Sequence, residues 1–357
     1  MIHIGIVGGG NISDTHARAA REIEGVEIAA IHGRNQDKSA RLGQLYGGAV
    51  YEDFERFLEH RPMSMVAIGS PSGLHAEQGI AAARHGLNVL VEKPIEITTA
   101  RADRLIDECE RAGVKLGVFF QDRVAPDLIR LKELIDAGRL GKPILVSARV
   151  KWYRPPDYYS ESRWRGTRAL DGGGALINQG VHTVDLLLWL MGDVTRVQSK
   201  AITALHKIEM EDTLVATLEF SNGAIGTLEA TTSVYPGYPR RLELTGSEGT
   251  IIVEHDRIIS ADLRDPLDDF TGKEAGNSNP AATSPIVSDV RGHRRILKDF
   301  IRAIETNGRP LCEGREGRRS VELVQAIYES SRTGQGVTLA SASSTARLES
   351  VATYSRN

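Results

Sequence analysis

Three groups of residues in this 357-residue chain have types and spacing that could carry chemistry. The first is the run from Asp171 to Asp185, where Gly172-Gly173-Gly174 opens an apolar helix that continues through Leu186 to Met191. Asn178, His182 and Asp185 stand at i, i+4 and i+7, which predicts all three on one helical face. Polar groups on such a face must meet polar partners or a ligand. Histidine takes and returns protons near neutral pH; the alternative for His182 is an imidazole satisfied inside the core. The second group is Glu92-Lys93-Pro94, directly after an apolar strand at residues 88–91. A lysine there is poorly explained as surface solvation, and its ammonium can steady an oxygen that becomes negative. The third group is Gly8-Gly9-Gly10-Asn11-Ile12-Ser13, between a strand at residues 2–7 and a helix predicted at 14–23. It is the dinucleotide fingerprint with Ser13 in the third glycine position. A base, an ammonium and a dinucleotide turn together suit hydride transfer at an alcohol carbon.

In that turn Gly8 permits the bend, and Gly10 lets the backbone approach a pyrophosphate with no side chain between. The helix behind it offers its free N–H groups and its positive dipole end, and Asn11 and Ile12 of the turn are expected cofactor residues. The alternative is a glycine turn that merely begins a βα unit. After the second strand, at residues 26–31, an acidic residue would hold the ribose hydroxyls of NAD. This chain has Gly33-Arg34 instead, with Lys38 one turn on. Glycine leaves room for a 2′-phosphate and guanidinium binds one bidentately, so NADP is expected over NAD. The alternative is a solvated turn arginine.

The elements that must position these groups follow from periodicity. A strand at 65–69 ends in Ser70-Pro71-Ser72-Gly73-Leu74-His75, a helix follows at 76–85, and the strand at 88–91 leads to Lys93. Strands alternating with helices predict a doubly wound parallel sheet, whose ligands sit beyond the carboxyl ends of the strands. Beyond an amphipathic helix at 126–137, alternating runs at 144–150, 194–204, 213–220, 224–231, 241–245 and 250–254 predict a large antiparallel sheet, with Asn222-Gly223 as a hairpin turn. Residues 262–290 read as a polar loop, a flap over the cleft, and helices are predicted near 294–306 and 317–333. The expected fold class is α/β. Residues 1–122 form a Rossmann domain, and 123–339 an α/β domain with an open, mostly antiparallel sheet. The Ser- and Ala-rich stretch 340–357 is a tail, mobile or an assembly arm.

Composition excludes several classes. A formal net charge of −3 carries no basic excess, so no nucleic-acid partner is expected. Two cysteines are too few for a disulfide scaffold or a Cys-rich metal site, and no other cluster has zinc-like spacing, so no metal is expected. No apolar run approaches the roughly 20 residues that span a bilayer, and no secretory pattern opens the chain; a cytoplasmic protein is expected.

The fingerprint Gly8–Ser13, the segment Ser70–His75, Glu92-Lys93-Pro94 and the run Gly172-Gly173-Gly174 with His182 and Asp185 together resemble the Gfo/Idh/MocA oxidoreductases. The resemblance extends to about residue 339. It implies an N-terminal Rossmann domain and a C-terminal sheet that commonly packs on another subunit, hence a homodimer or homotetramer. It implies that Lys93 lies near both the nicotinamide and the reacting hydroxyl, before a Lys93–Pro94 bond that is often cis, and that His182 is the catalytic histidine. By the same resemblance Gln121 touches the nicotinamide end, and Trp164-Arg165 is similar to a cofactor-contacting pair. The expected cofactor residues further include Gly9, Ser70, Pro71, His75 and Glu92; the expected substrate residues are Lys93, Arg123, Trp152, Tyr153, Asn178 and His182. Inositol dehydrogenases of the family place an aspartate where this chain has Asn178. Either Asp185 substitutes for it, or Lys93 carries more of the proton transfer.

Five of the 19 aromatic residues fall between Trp152 and Trp164, beside two prolines, in a loop. Aromatic faces stack on sugar rings, and Lys151, Arg154, Arg163, Arg165 and Arg168 outnumber Asp157 and Glu161 there, which favours an anionic ligand. The alternative is packing against a neighbouring subunit. The expected function is NAD(P)-dependent hydride transfer at a ring hydroxyl or ketone of a pyranose derivative, anhydro-sugar or sugar nucleotide. The alternatives are an inositol or polyol dehydrogenase, a glycosidase of the family with a tightly held cofactor, and a non-catalytic cofactor sensor.

Overall fold

The computed structural model describes residues 1–267 and 289–340. Six strands, β1 (Ile2–Val7), β2 (Val26–His32), β3 (Ala49–Tyr51), β4 (Met65–Ile68), β5 (Asn88–Val91) and β6 (Leu116–Val118), pair in parallel in the order β3-β2-β1-β4-β5-β6. Helices cover both faces, so the central strands read as continuous apolar runs; all four residues of β4 are buried. The strand order reverses between β1 and β4, which opens a crevice above their carboxyl ends. The first helix, Asn11–Arg21, begins nearer the glycine turn than its periodicity predicts, because Gly10 is extended and already serves as its N-cap.

Eight more strands form a second sheet: β7 (Pro143–Lys151), β8 (Val194–Ile202), β9 (Thr213–Phe220), β10 (Ile225–Thr231), β11 (Arg241–Gly246), β12 (Gly249–Glu254), β13 (Arg257–Leu263) and β14 (Val337–Thr338). Their order is β13-β12-β11-β7-β10-β9-β8-β14, antiparallel throughout except for the β7–β10 pair. Alternation sets the two faces: in β9, Leu214, Ala216, Leu218 and Phe220 turn inward while Val215, Thr217 and Glu219 face out. The inner face packs on the helices Val181–Met191 and Gly314–Thr333. Three strands were not legible in the sequence: β3 and β14 are too short, and β13 is an edge strand carrying Ser260 and Asp262.

The helix Arg291–Glu305 returns to the first sheet. Ile296, Leu297, Phe300 and Ile301 join that core, and Gly117 leaves the space that the Phe300 ring fills. This return carries Arg291 and His293 to the crevice. Most of the stretch read as a flap, residues 268–288, and the tail 341–357 lie outside the described residues. Among the described residues no helix is long and apolar enough to cross a membrane.

Candidate active site

A cleft of about 1270 Å³ runs from the glycine turn to the second sheet. One end is lined by Gly8, Gly9, Gly10, Asn11, Ile12, Gly33, Arg34 and Lys38, and the middle by Ser70, Pro71, Glu92, Lys93, Pro94 and Gln121. The far end is lined by Asp122, Trp152, Arg154, Tyr158, Trp164, Arg165, Asn178, His182 and Arg240. These residues fit a dinucleotide. A Cβ built at Gly10 meets no atom within 4 Å, so backbone N–H groups of the first helical turn face open cleft. Gln121, deeper in, lines the cleft with a buried Oε1 that has no hydrogen-bond partner among the described residues, as a group awaiting a carboxamide would.

Lys93 stands at the carboxyl end of β5, before a cis Lys93–Pro94 bond. Its Nζ donates to the main-chain oxygen of Asn178 at 2.8 Å. The turn is fixed from behind by Glu92, 4% exposed, whose Oε2 accepts the Lys93 N–H at 3.1 Å. Its Oε1 accepts from His16 Nε2 at 2.9 Å and His293 Nε2 at 3.2 Å. Burial opposes ionisation of Glu92, but the two imidazole hydrogen bonds hold it well below the usual carboxylate range. This His–Glu–His group could geometrically hold a metal, and spacing rules missed it because the three residues come from three separate segments. Here both imidazoles spend Nε2 on one carboxylate oxygen, and the trio clamps the lysine turn. Glu92 still lines the cleft, though its carboxylate is spent on these partners rather than on a ribose or nicotinamide.

Asn178 and His182 come from one continuous stretch, but not from one α-helix. Residues Ala175–Gly180 form a π-helical turn that runs into the α-helix Val181–Met191. Gly174 begins the turn where any Cβ would collide with the Glu211 carbonyl, and the Glu211 carboxylate accepts the N–H groups of Gly174 and Leu176. Asn178 on this turn and His182 on the helix behind it both line the cleft, but Asp185, three residues further along the regular α-helix, does not share their face. His182 faces the cleft, whereas Asp185 turns to the interior and pairs bidentately with Arg123, Oδ2 to Nε at 2.8 Å and Oδ1 to Nη2 at 2.6 Å. Asp185 therefore does not substitute as a catalytic carboxylate, and Arg123 does not reach substrate; the pair is 1% and 3% exposed and lies off the cleft.

Asp122, which sequence reasoning passed over, is the acid near the histidine, with Oδ2 3.9 Å from His182 Nδ1. It sits on a 3₁₀ turn, Gln121–Val124, that sends successive side chains in different directions, Asp122 to the cleft and Arg123 away from it. Its only signal was adjacency to Gln121, just beyond the last strand of the parallel sheet. Burial works against the Asp122 charge, yet the paired Arg240 guanidinium holds the carboxyl well below its ordinary value. Burial drives His182 down to about 3, opposed by Asp122 and reinforced by Lys93, so the ring is neutral, with its lone pair free, throughout the neutral range. Burial also lowers the Lys93 ammonium, while Glu92, Asp171 and Asp122 support its charge.

Two other expected residues fall outside the cleft lining. His75 is buried with its ring nitrogens 2.9 Å from the Ser70 and Pro94 carbonyls, tying the two cofactor-side loops together without reaching the cofactor space. Tyr153 stacks edge-on against Tyr235 with centroids 5.3 Å apart, because strand alternation puts it opposite the inward Trp152.

With this geometry in place, comparison is informative. Residues 2–120 match the oxidoreductase family with an NAD-binding Rossmann fold, and residues 128–252 match the GFO/IDH/MocA C-terminal domain. The chain is 30% identical over 292 residues to the rhizopine catabolism protein MocA of Rhizobium meliloti, covering 79% of this chain and 89% of that protein. It is 26% identical over 347 residues to the myo-inositol 2-dehydrogenase of Thermotoga maritima, covering 95% and 98%. Among solved structures, the WlbA dehydrogenase from Bordetella pertussis in complex with NADH and UDP-GlcNAcA superposes with a TM-score of 0.86 at 32% identity, covering 95% of this chain and 99% of that one. The chain belongs to the Gfo/Idh/MocA family of oxidoreductases. It is an NAD(P)-dependent dehydrogenase.

A neutral His182 makes a direct prediction. In a pH titration followed by NMR, its ring resonances are expected to stay at neutral-imidazole values from about pH 8 down to about pH 5, where an ordinary histidine would have gained its proton. A midpoint near the unperturbed value would show that burial does not control the ring.

Proposed function

We propose that the chain oxidises a ring hydroxyl of a carbohydrate, or reduces the matching ketone, with Lys93 and His182 at the reacting oxygen. The observation that carries this reading is the convergence of the Lys93 ammonium, a neutral His182 and Gln121 in one cleft with an unobstructed glycine turn. A bound nicotinamide supplies the hydride acceptor or donor. Gln121 and the first turn of the helix Asn11–Arg21 would hold the dinucleotide. His182 takes the hydroxyl proton, and Lys93, held by the Asn178 carbonyl, steadies the negative charge that develops on that oxygen. Asp122 offsets charge gained by the ring. Lys93→Ala and His182→Ala are each expected to lower turnover at least about a hundredfold. Near-normal turnover in both variants would end this assignment.

The preferred substrate is an anionic sugar, a hexuronate or a nucleotide-linked uronate. Lining the far end are Arg154, Arg163 and Arg165 with Trp152, Tyr158 and Trp164, aromatic faces for a ring and guanidinium groups for a carboxylate or phosphate. The UDP-GlcNAcA in the WlbA structure supports this class. NADP is the preferred cofactor: a Cβ at Gly33 would lie 2.6 Å from Ser39 Oγ, so no acidic side chain fits where NAD ribose is usually held, while Arg34 and Lys38 line that end. This departs from the NADH of the WlbA complex. The test is an absorbance assay at the reduced-nicotinamide band, with neutral pyranoses, free hexuronates and UDP-linked uronates against NADP and NAD. One charge-assisted contact is worth about 1.5–3 kcal/mol, so a preference of about tenfold or more in kcat/KM is expected for the anionic sugar and for NADP. Equal use of neutral sugars, or a clear NAD preference, would contradict the respective part.

The outward face of the second sheet exposes Leu145, Val215 and Ile225, with the Ile225–Leu145 pair side by side. We propose that two copies associate through it, in the cytoplasm. Val215→Lys with Ile225→Glu is expected to shift sedimentation to the monomer; an unchanged sedimentation coefficient would place the contact elsewhere.

A further inference from the structure

Asn178 connects Lys93 to a carboxylate behind the cleft. Its main-chain oxygen takes the lysine ammonium, and its side-chain Nδ2 donates to Asp171 Oδ1 at 2.7 Å. Its Oδ1 accepts from Gln179 Nε2 at 2.9 Å, and the same Nε2 donates to the Tyr158 hydroxyl at 2.9 Å. The amide of Asn178 is therefore held from both sides. Asp171 is 1% exposed, lies off the cleft lining, and accepts the Gly166 N–H on Oδ2 at 2.7 Å. Each carboxylate oxygen faces an N–H donor, an arrangement suited to the ionised form because a protonated oxygen would have to donate.

We propose that Asp171 is a positioning residue for Lys93: through Asn178 it fixes the carbonyl that holds the ammonium, and its negative charge helps that ammonium keep its proton. The inference rests on the reading that Lys93 serves the reacting oxygen. Of the charged groups that act most strongly on Lys93, Glu92, Asp171 and Asp122 support its charge and Arg154 opposes it. Glu92 is already engaged by His16 and His293, and Asp122 by Arg240, so Asp171 is the carboxylate linked to Lys93 through the residue that binds it. Groups acting on Asp171 itself are Lys93 and Arg165, with the hydroxyls of Tyr158 and Tyr159 nearby. Burial pushes Asp171 up to about 7 against the Gly166 and Asn178 hydrogen bonds and those two cations. Its charge is thus present on the alkaline side of neutrality, where a buried lysine is at risk of losing its proton. A carboxylate raises the titration midpoint of a nearby ammonium, so removing it must lower that midpoint.

The test needs no substrate. In protein labelled with carbon-13 at lysine Cε, the Lys93 resonance is assigned by its loss in Lys93→Met, and its titration midpoint is compared with that in Asp171→Asn. The midpoint is expected to move to lower pH in Asp171→Asn, with NADPH binding, read by fluorescence, within about threefold of the parent. Asp171→Ser, which can still accept the Asn178 amide, is the second variant and should move it the same way. An unmoved midpoint in a folded variant overturns the inference. So does loss of NADPH binding in both variants, which would make Asp171 a requirement of the fold. Retained turnover in Lys93→Ala, by contrast, would sink the functional reading on which the inference rests.

Discussion

The hydrogen bond from Lys93 Nζ to the Asn178 carbonyl joins the two halves of the molecule at the point where chemistry would occur. The lysine belongs to the end of a central parallel strand, and the carbonyl to a π-helical turn laid against the antiparallel sheet. Neither half alone can hold the ammonium in place. Each supplies its own anchor: the Glu92 clamp with His16 and His293 on one side, and the Gly174–Glu211 contact on the other. Much of the remaining polar architecture serves to keep these anchors still.

Burial then decides what the site can do. Water exclusion would cost the charged form of every group in the cleft, and the protein answers each case differently. Asp122 keeps its charge because Arg240 is beside it, and Glu92 because two imidazoles donate to it. His182 receives too little compensation and stays neutral. A neutral imidazole beside a supported ammonium is the division of labour that alcohol oxidation asks for, a proton acceptor next to a fixed positive charge.

Much of this was legible in the sequence because glycine, lysine and proline punctuate strand ends in ways that few other roles demand. Gly8 to Ser13, Glu92-Lys93-Pro94 and the glycine run before His182 were placed from the sequence, and the parallel sheet followed from alternation of strand and helix. What failed was phase. Asn178 and His182 both reach the cleft across the π turn at 175–180, but Asp185 lies about 60° round the regular α-helix from His182 and meets Arg123, leaving Asp122 to face His182. His16, Glu92 and His293 come from far-apart segments, and Asp171 acts through Asn178; such relations exist only once the chain has folded. His75 and Tyr153 were assigned by nearness in sequence to the right segments, yet one braces loops and the other faces outward.

The most direct test of the whole arrangement is a crystal structure of the protein with reduced nicotinamide cofactor bound. The account requires the carboxamide at Gln121 and the hydride-bearing carbon turned toward the space between Lys93 Nζ and His182, leaving room for a carbon about 3–3.5 Å away. A nicotinamide ring lying outside that space, or facing away from both side chains, would contradict it.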